Sequence, residues 1–405
     1  MKVAVLLGDG MADVPLAELD GKTPLEAAST PHMDALAREG TLGLAVTIPE
    51  SLPPGSDVAN LSVFGYDPRS CYTGRAPLEA AAMGIELSAA DVAYRLNLVS
   101  LLVGHGEVYM DDFSADHIST AEAHELIRFL ATRLAEEGFE FYPGVSYRHV
   151  LLWRNGEDRA RTTPPHDIQG RAIHEHLPDG EGADNLLHLI TGSQILLKDH
   201  PVNVARREQG KKEANSIWLW GQGRRPAMER FRDRFGLEGA VVAAVDLLKG
   251  IGRVAGLETP SVPGATGYID TDYAGKVDAA VQALERSDFV FLHVEAPDEA
   301  GHAGRLDHKL QAIADFDARV VGPVRTWLQA SGEEHALLVM PDHPTPIGLR
   351  THTRDAVPFA LYLSRERGQR YRGRAFTEFE ALTTGVHVAE AHRLMEHIVG
   401  KCRLW

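Results

Sequence analysis

Val3-Ala4-Val5-Leu6-Leu7, closed by Gly8-Asp9-Gly10, is the stretch from which the fold is read. Five apolar residues in succession, without the alternation of a half-exposed strand, predict a β-strand covered on both faces, as in a parallel sheet. The glycine-flanked turn then leaves Asp9 at the carboxyl end of that strand. The same grammar returns at Phe289–Val294, followed by Glu295-Ala296-Pro297-Asp298, and at Ala336–Met340, followed by Pro341-Asp342-His343. Three strands thus carry acidic or imidazole side chains to one edge, and the carboxyl edge of an open α/β sheet is where ligands bind.

Between the last two strands, Leu306, Leu310, Ile313, Val320, Val324 and Leu328 recur mostly at steps of three and four, with Phe316 between them. That spacing predicts the crossover helix of a βαβ unit, which Pro323 should kink or split. Phe359–Leu363 reads as a further strand and Ala389–Ile398 as a closing helix. The middle of the chain has a different pattern. Ser119-Thr120-Ala121-Glu122 is a capping box ahead of a Leu126, Leu130, Leu134 stripe, and Val145 to Trp153 alternate as a half-exposed strand would. Ser216–Gly221 and Val241–Val245 predict short strands separated by a helix over Ala227–Phe235. The fold class is therefore α/β, a mainly parallel sheet flanked by helices. A discontinuous core of residues 1–105 and 240–405 is expected, with an inserted α+β domain over 106–239.

A chain of 405 residues has room for such a core and insertion. Its 41 Lys and Arg against 57 Asp and Glu give a net charge of −16, which repels a polyphosphate backbone, so nucleic acid is not an expected partner. Cys71 and Cys402 cannot form a disulfide framework or a cysteine zinc site, which suits a reducing cytoplasm. The Val3–Leu7 run is too short for a signal-peptide core, and no run approaches the ~20 apolar residues of a membrane helix. Assembly into a homo-oligomer is left open.

The chemistry concentrates at the proposed sheet edge. Asp9, Asp298, His302, Asp342, His343 and His352 offer carboxylates and imidazoles in the proportion that suits a pair of borderline divalent metals. Asp298 and His302 are four residues apart, one face of a helical turn. Pro53-Pro54-Gly55-Ser56-Asp57 is a stiff approach to a helix starting at Ser56, where a serine faces an anion site and a nearby metal pair can activate its hydroxyl. A phosphorylated organic acid also needs cations, and Arg75, Arg95, Arg148, Arg206 and Lys249 are the candidates.

The ordered set of Gly8-Asp9-Gly10-Met11-Ala12-Asp13, Gly21-Lys22-Thr23-Pro24-Leu25-Glu26, Pro54-Gly55-Ser56-Asp57, Tyr72-Thr73-Gly74-Arg75, Gly144-Val145-Ser146-Tyr147-Arg148, Gly264-Ala265-Thr266-Gly267 and Asp342-His343-Pro344-Thr345-Pro346 resembles the archaeal-type cofactor-independent phosphoglycerate mutases of the alkaline phosphatase superfamily. The resemblance runs along essentially the whole chain. It implies that Asp298, His302 and His352 hold one divalent ion and that Asp9, Ser56, Asp342 and His343 hold the other, with manganese first and zinc, cobalt or magnesium as alternatives. It implies Ser56 as the nucleophile that carries the phosphoryl group between the 3- and 2-positions of glycerate. The insertion would be a substrate-gripping lid using Arg148, with Arg95 and Lys249 near its borders. His117 and His166 both stand in family-like stretches, and either could be the general acid. The same motifs also suit a homoserine kinase-like phosphotransferase of this family and, if water reached the site, a metal-dependent phosphomonoesterase.

Overall fold

The computed structural model describes residues 1–104, 106–135, 138–366 and 373–405. In chain order the strands are β1 (Lys2–Gly8), β2 (Thr41–Ala45), β3 (Val92–Gly104), β4 (Glu107–Asp112), β5 (Phe139–Tyr142), β6 (Arg148–Trp153), β7 (Ser216–Gly223), β8 (Gly239–Val242), β9 (Phe289–Val294), β10 (His335–Met340), β11 (Val357–Leu363) and β12 (His387–Val388). The chain divides into two compact units, Met1–Tyr72 with Ala227–Trp405, and Thr73–Pro226. Among the described residues no helix is long and apolar enough to cross a membrane.

The first unit is built on a sheet in the order β12-β2-β11-β10-β1-β9-β8. β1 lies near its centre, parallel to β10 and to β9, and Val3 to Leu7 have no exposed surface, which is why that strand shows no polar alternation. Leu7 is level with Met340 of β10 and His293 of β9, so the segments leaving these strands emerge side by side. The crossover after β9 is broken: helix Leu306–Phe316 passes through a π turn at Asp317–Val321 into helix Gly322–Ala330. Pro323 sits in the first turn of the last helix, where its missing N–H removes no hydrogen bond. At the π turn the buried Asp317 carboxylate accepts the N–H groups of His32 and Met33 and so caps helix Pro31–Glu39.

The second unit is organised by β3. This long strand pairs antiparallel with β6, β7 and β4, and β5 adds to β6. Helix Thr120–Leu134, which begins at the expected Ser119–Glu122 capping box, contributes Leu126, Ile127 and Leu130 to one buried cluster with Leu96, Leu98 and Leu151. All of β3's partners lie within Thr73–Pro226, so β3 goes with the second unit and residues 227–239 with the first, in place of borders near 105 and 240. Residue 105 itself lies outside the described residues. β6 begins at Arg148, and His149 to Leu152 are all buried because the strand runs between β3 and β5, which removes the half-exposed character expected for it. The helix expected over Ala227–Phe235 covers only Phe231–Phe235, the strand expected at Val241–Val245 is Gly239–Val242, and the closing helix is Arg393–Ile398.

Candidate active site

The carboxyl edge of the first unit's sheet gathers all the residues expected there. Asp9 follows β1, Asp342 and His343 follow β10, and Asp298 and His302 sit on helix Ala296–Ala303 directly after β9. Gly10 makes this crowding possible: its φ is +60°, and a Cβ there would lie 2.7 Å from Asp298 Oδ1. Asp298 Oδ2 is 3.2 Å from His302 Nε2, Asp298 Oδ1 is 3.5 Å from His352 Nε2, and the two Nε2 atoms are 2.9 Å apart. His343 Nε2 is 3.2 Å from Asp342 Oδ2 and 3.6 Å from Asp9 Oδ1, and its ring lies 4.0 Å from that of His352. Asp298 with His343 and His352, and Asp9 with Asp342 and His343, each form a group able to hold a metal ion, joined through His343.

The electrostatics of this edge ask for cations. Asp9, Asp298 and Asp342 are buried, and among the described residues none is ion-paired with Lys or Arg. Burial, then the charges of Asp342, Glu295 and Asp298, push the Asp9 carboxyl well above its ordinary range. Burial also raises Asp298, but the hydrogen bonds of His302 and His352 outweigh it and hold that carboxyl well below its usual range. The Asp298 hydrogen bond raises His302 to about 9. Asp9 Oδ1 is buried without a hydrogen-bond partner, and leaving such an atom unsatisfied costs about 1–3 kcal/mol or more. Oxygen and imidazole donors converging beside an orphaned buried carboxylate oxygen suit divalent ions of the manganese–zinc class.

Ser56 is the first residue of helix Ser56–Val63, after the extended Gly55. Its Oγ lies 3.0 Å from His343 Nε2. Asn60, one turn on, donates from Nδ2 to the Ser56 carbonyl and to Asp342 Oδ2, both at 2.9 Å, tying the helix to the loop that holds Asp342 and His343. Ser56 thus stands at the head of a helix, against the acidic–imidazole cluster.

The candidate cations take three different places. In the second unit, Arg75 and Arg95 each approach Glu79 through Nε at 2.9 Å, and Glu79 is held below its usual range because these guanidinium groups outweigh its burial. Burial lowers Arg95 to about 10, and its guanidinium lies over the Trp220 ring at 4.4 Å. Arg148 is exposed at the start of β6, 5.5 Å from the ring of Tyr147. An aromatic series connects these groups: His117 to Tyr147, Tyr147 to Phe113, Phe113 to His166, and His166 to Trp220, with ring separations of 5.2–6.1 Å. Arg206 departs from expectation. Its side chain is 2% exposed and donates to Glu122 and to the carbonyls of Lys212 and Ala115, so it belongs to the unit's interior. Lys249 lies in the first unit, on helix Asp246–Val254, 3.5 Å from Asp246.

Sequence reading missed the support around these groups. His293, the fifth residue of β9, places Nε2 2.8 Å from Asp9 Oδ2, and Glu295 Oε2 is 3.5 Å from the same nitrogen. Burial lowers His293 to about 3, so a neutral imidazole shares a hydrogen bond with Asp9 through Nε2. Lys309 is wholly buried and donates to Asp13 Oδ2 at 2.7 Å and to the carbonyls of Ala12 and Thr345, joining the loops after β1 and β10. A signal for His293 was present, since an inward-pointing imidazole in a fully apolar strand has no place unless it has a partner.

Comparison with known proteins follows the same lines. A family model described as 2,3-bisphosphoglycerate-independent phosphoglycerate mutase matches residues 37–203. A 2,3-bisphosphoglycerate-independent phosphoglycerate mutase of Methanosarcina acetivorans is 53% identical over 89% of this chain and 90% of its own length. One of Methanothermobacter thermautotrophicus is 50% identical over 98% of this chain and 96% of its own. Among solved structures, the cofactor-independent phosphoglycerate mutase of Thermoplasma acidophilum superposes with a TM-score of 0.65 at 25% identity, covering 98% of this chain and 99% of that one.

Proposed function

The chain belongs to the 2,3-bisphosphoglycerate-independent phosphoglycerate mutase family, and on that footing we propose that it interconverts 3-phosphoglycerate and 2-phosphoglycerate by way of a phosphoserine on Ser56. It is an isomerase that needs no bisphosphoglycerate primer. The observation that carries the serine assignment is the placement of Ser56 Oγ, at the head of a helix and 3.0 Å from His343 Nε2 within the acidic–imidazole cluster. Asp298, His302 and His352 would hold one divalent ion, and Asp9, Ser56, Asp342 and His343 a second. When bound, such ions neutralise phosphoryl oxygens and lower the pKa of a serine hydroxyl.

Ser56 Oγ attacks phosphorus as the bond from phosphorus to O3 breaks, and the freed glycerate then takes the group back on O2. The start of helix Ser56–Val63 would lend its positive end to the phosphoryl oxygens, although the Val58 N–H is taken by Asp57 Oδ1, while Asn60 keeps the helix in register with Asp342. To the unit Thr73–Pro226 we assign the grip on glycerate, through Arg75, Arg95 and Arg148, so that glycerate is retained until the second transfer. Manganese is the expected ion, and the two free cysteines suit a cytoplasmic setting.

The test is a quench of the manganese-loaded enzyme during turnover of phosphate-labelled 3-phosphoglycerate. Label is expected on Ser56, then on 2-phosphoglycerate, without exchange into free phosphate, and Ser56→Ala should bind substrate but not turn over. Label confined to a histidine would overturn the serine assignment. An enolase-coupled assay run beside homoserine plus ATP separates mutase from kinase, and no observation favours the kinase.

A further inference from the structure

Ala115, Asp116 and His117 have φ of 49°, 57° and 48°. Three consecutive non-glycine residues in the left-handed region form a turn that L-amino acids resist, at roughly 1–2 kcal/mol each. Such a turn persists only where its surroundings over-determine it, and residues held this way cluster at functional sites. Several groups impose it here. Asp112 Oδ1 accepts Ser114 N and Oγ at 2.8 and 2.7 Å, and Ser114 Oγ accepts the N–H of His117 at 3.1 Å. Asn97 Nδ2 donates to the Phe113 carbonyl at 3.2 Å, and Ser146 Oγ to the Ile118 carbonyl at 2.7 Å.

The strongest restraint is Arg206. One of its terminal nitrogens donates to the Ala115 carbonyl at 2.7 Å, within the strained segment itself. The other meets both oxygens of Glu122 at 3.0 and 3.1 Å, and Nε donates to the Lys212 carbonyl at 2.8 Å. Glu122 is in turn fixed by Ser119 at the start of helix Thr120–Leu134. A planar guanidinium with three sets of acceptors is a rigid bracket, and a flexible ammonium could not replace it. The turn it braces sets His117 beside Tyr147, whose ring also carries Arg148. His166, the other imidazole of the same aromatic series, rests on a short 3-10 turn with no comparable backbone strain.

We propose that Arg206 is a positioning residue for His117, bracing the left-handed turn so that this imidazole, rather than His166, exchanges protons with the glycerate oxygens. This rests on the mutase reading above. As Ser56 Oγ, already deprotonated, bonds to phosphorus and the bond to O3 breaks, protonated His117 gives its proton to O3; in the return step Ser56 leaves again as the alkoxide. Neutral His117 then takes the proton of the 2-hydroxyl as O2 attacks the phosphoserine, which restores its starting state. Arg206 touches neither substrate nor phosphoryl group; it fixes where the imidazole stands.

Steady-state kinetics of the full chain, loaded with manganese and measured from pH 5 to 9, test the assignment. His117→Gln should lower kcat about 10²–10⁴-fold and remove one limb of the pH profile, whereas His166→Gln should keep that limb. Arg206→Met should lower kcat at least tenfold, change KM less than threefold and shift the limb belonging to His117. Arg206→Lys should recover little of this. If Arg206→Met does not fold, Glu122→Gln, which keeps the helix cap but weakens the bracket, should show the same split between kcat and KM. A folded Arg206→Met enzyme with wild-type kcat and pH profile overturns the inference. So does a defect confined to KM, which would make Arg206 a substrate ligand, or loss of the limb in His166→Gln alone. If the wild-type protein does not interconvert phosphoglycerates, it is the mutase reading that has failed.

Discussion

The two units present opposite charge problems. At the sheet edge of the first, Asp9, Asp298 and Asp342 are buried with no Lys or Arg paired to them among the described residues, and Asp9 keeps an oxygen with no partner. In the second, Arg75 and Arg95 converge on a single carboxylate, Glu79, with Arg148 near enough to perturb it. One surface lacks cations and the other has them in surplus. Neither arrangement helps stability, because like charges held together destabilise a fold unless something neutralises them. On the function proposed above, divalent ions would answer the first surplus and an anionic, carboxylate-bearing substrate the second.

The largest effect should come from leaving the first surplus unanswered. Exhaustive chelation is expected to take turnover to background and manganese, cobalt or zinc to restore it; full activity from protein shown by metal analysis to be empty would mean that the buried carboxylates do not serve to hold ions. Next comes Lys309, the buried cation of the first unit that pairs with Asp13 rather than with the edge carboxylates. Lys309→Met leaves Asp13 buried and unpaired and should cost about 3–5 kcal/mol in urea unfolding. On the second unit, Arg148→Ala should raise KM for 3-phosphoglycerate roughly 10- to 100-fold, as expected for losing a charged hydrogen bond, with the melting temperature unchanged. An unchanged KM would remove Arg148 from the substrate surface.

The smallest effect separates the units by pH. Burial lowers His149 of β6 to about 3, against about 6.5 when unfolded, so the unfolded chain binds the extra proton. Its stabilising contribution is complete above pH 6.5 and is lost as pH falls toward 3, by roughly 2 kcal/mol at pH 5. Hydrogen exchange should therefore show β3 and β6 losing protection in this window, and His149→Gln should flatten the loss.

The first unit was the more legible in the sequence because a strand buried on both faces admits no polar residue until it ends. Asp9, Asp298 and Asp342 therefore announced their position by being the first acids after apolar runs. Ser56 was legible through the prolines and glycine before it. Arginines carry no such mark. Arg148 and Arg206 stand in equally polar surroundings in the sequence, and only the packing of β6 and of helix Pro201–Glu208 sends one outward and the other in. The unit borders slipped for a related reason: β3 reads as a core strand by composition, and its membership is decided by β6 and β7, whose pairing has no local signature.

The place of β1 has a consequence for biosynthesis. Among the described residues β1 pairs with β9 and β10, and the last residue of β10 is Met340. At about 5–20 residues per second, Val3 to Leu7 would wait roughly 17–70 s for their neighbours. Thr73–Pro226, by contrast, contains all the partners its strands have among the described residues and can close while synthesis continues. The nascent chain should therefore carry a protease-resistant middle and a cleavable β1 segment until β10 is made, and that exposed apolar strand is where a chaperone holding the unfinished enzyme would bind.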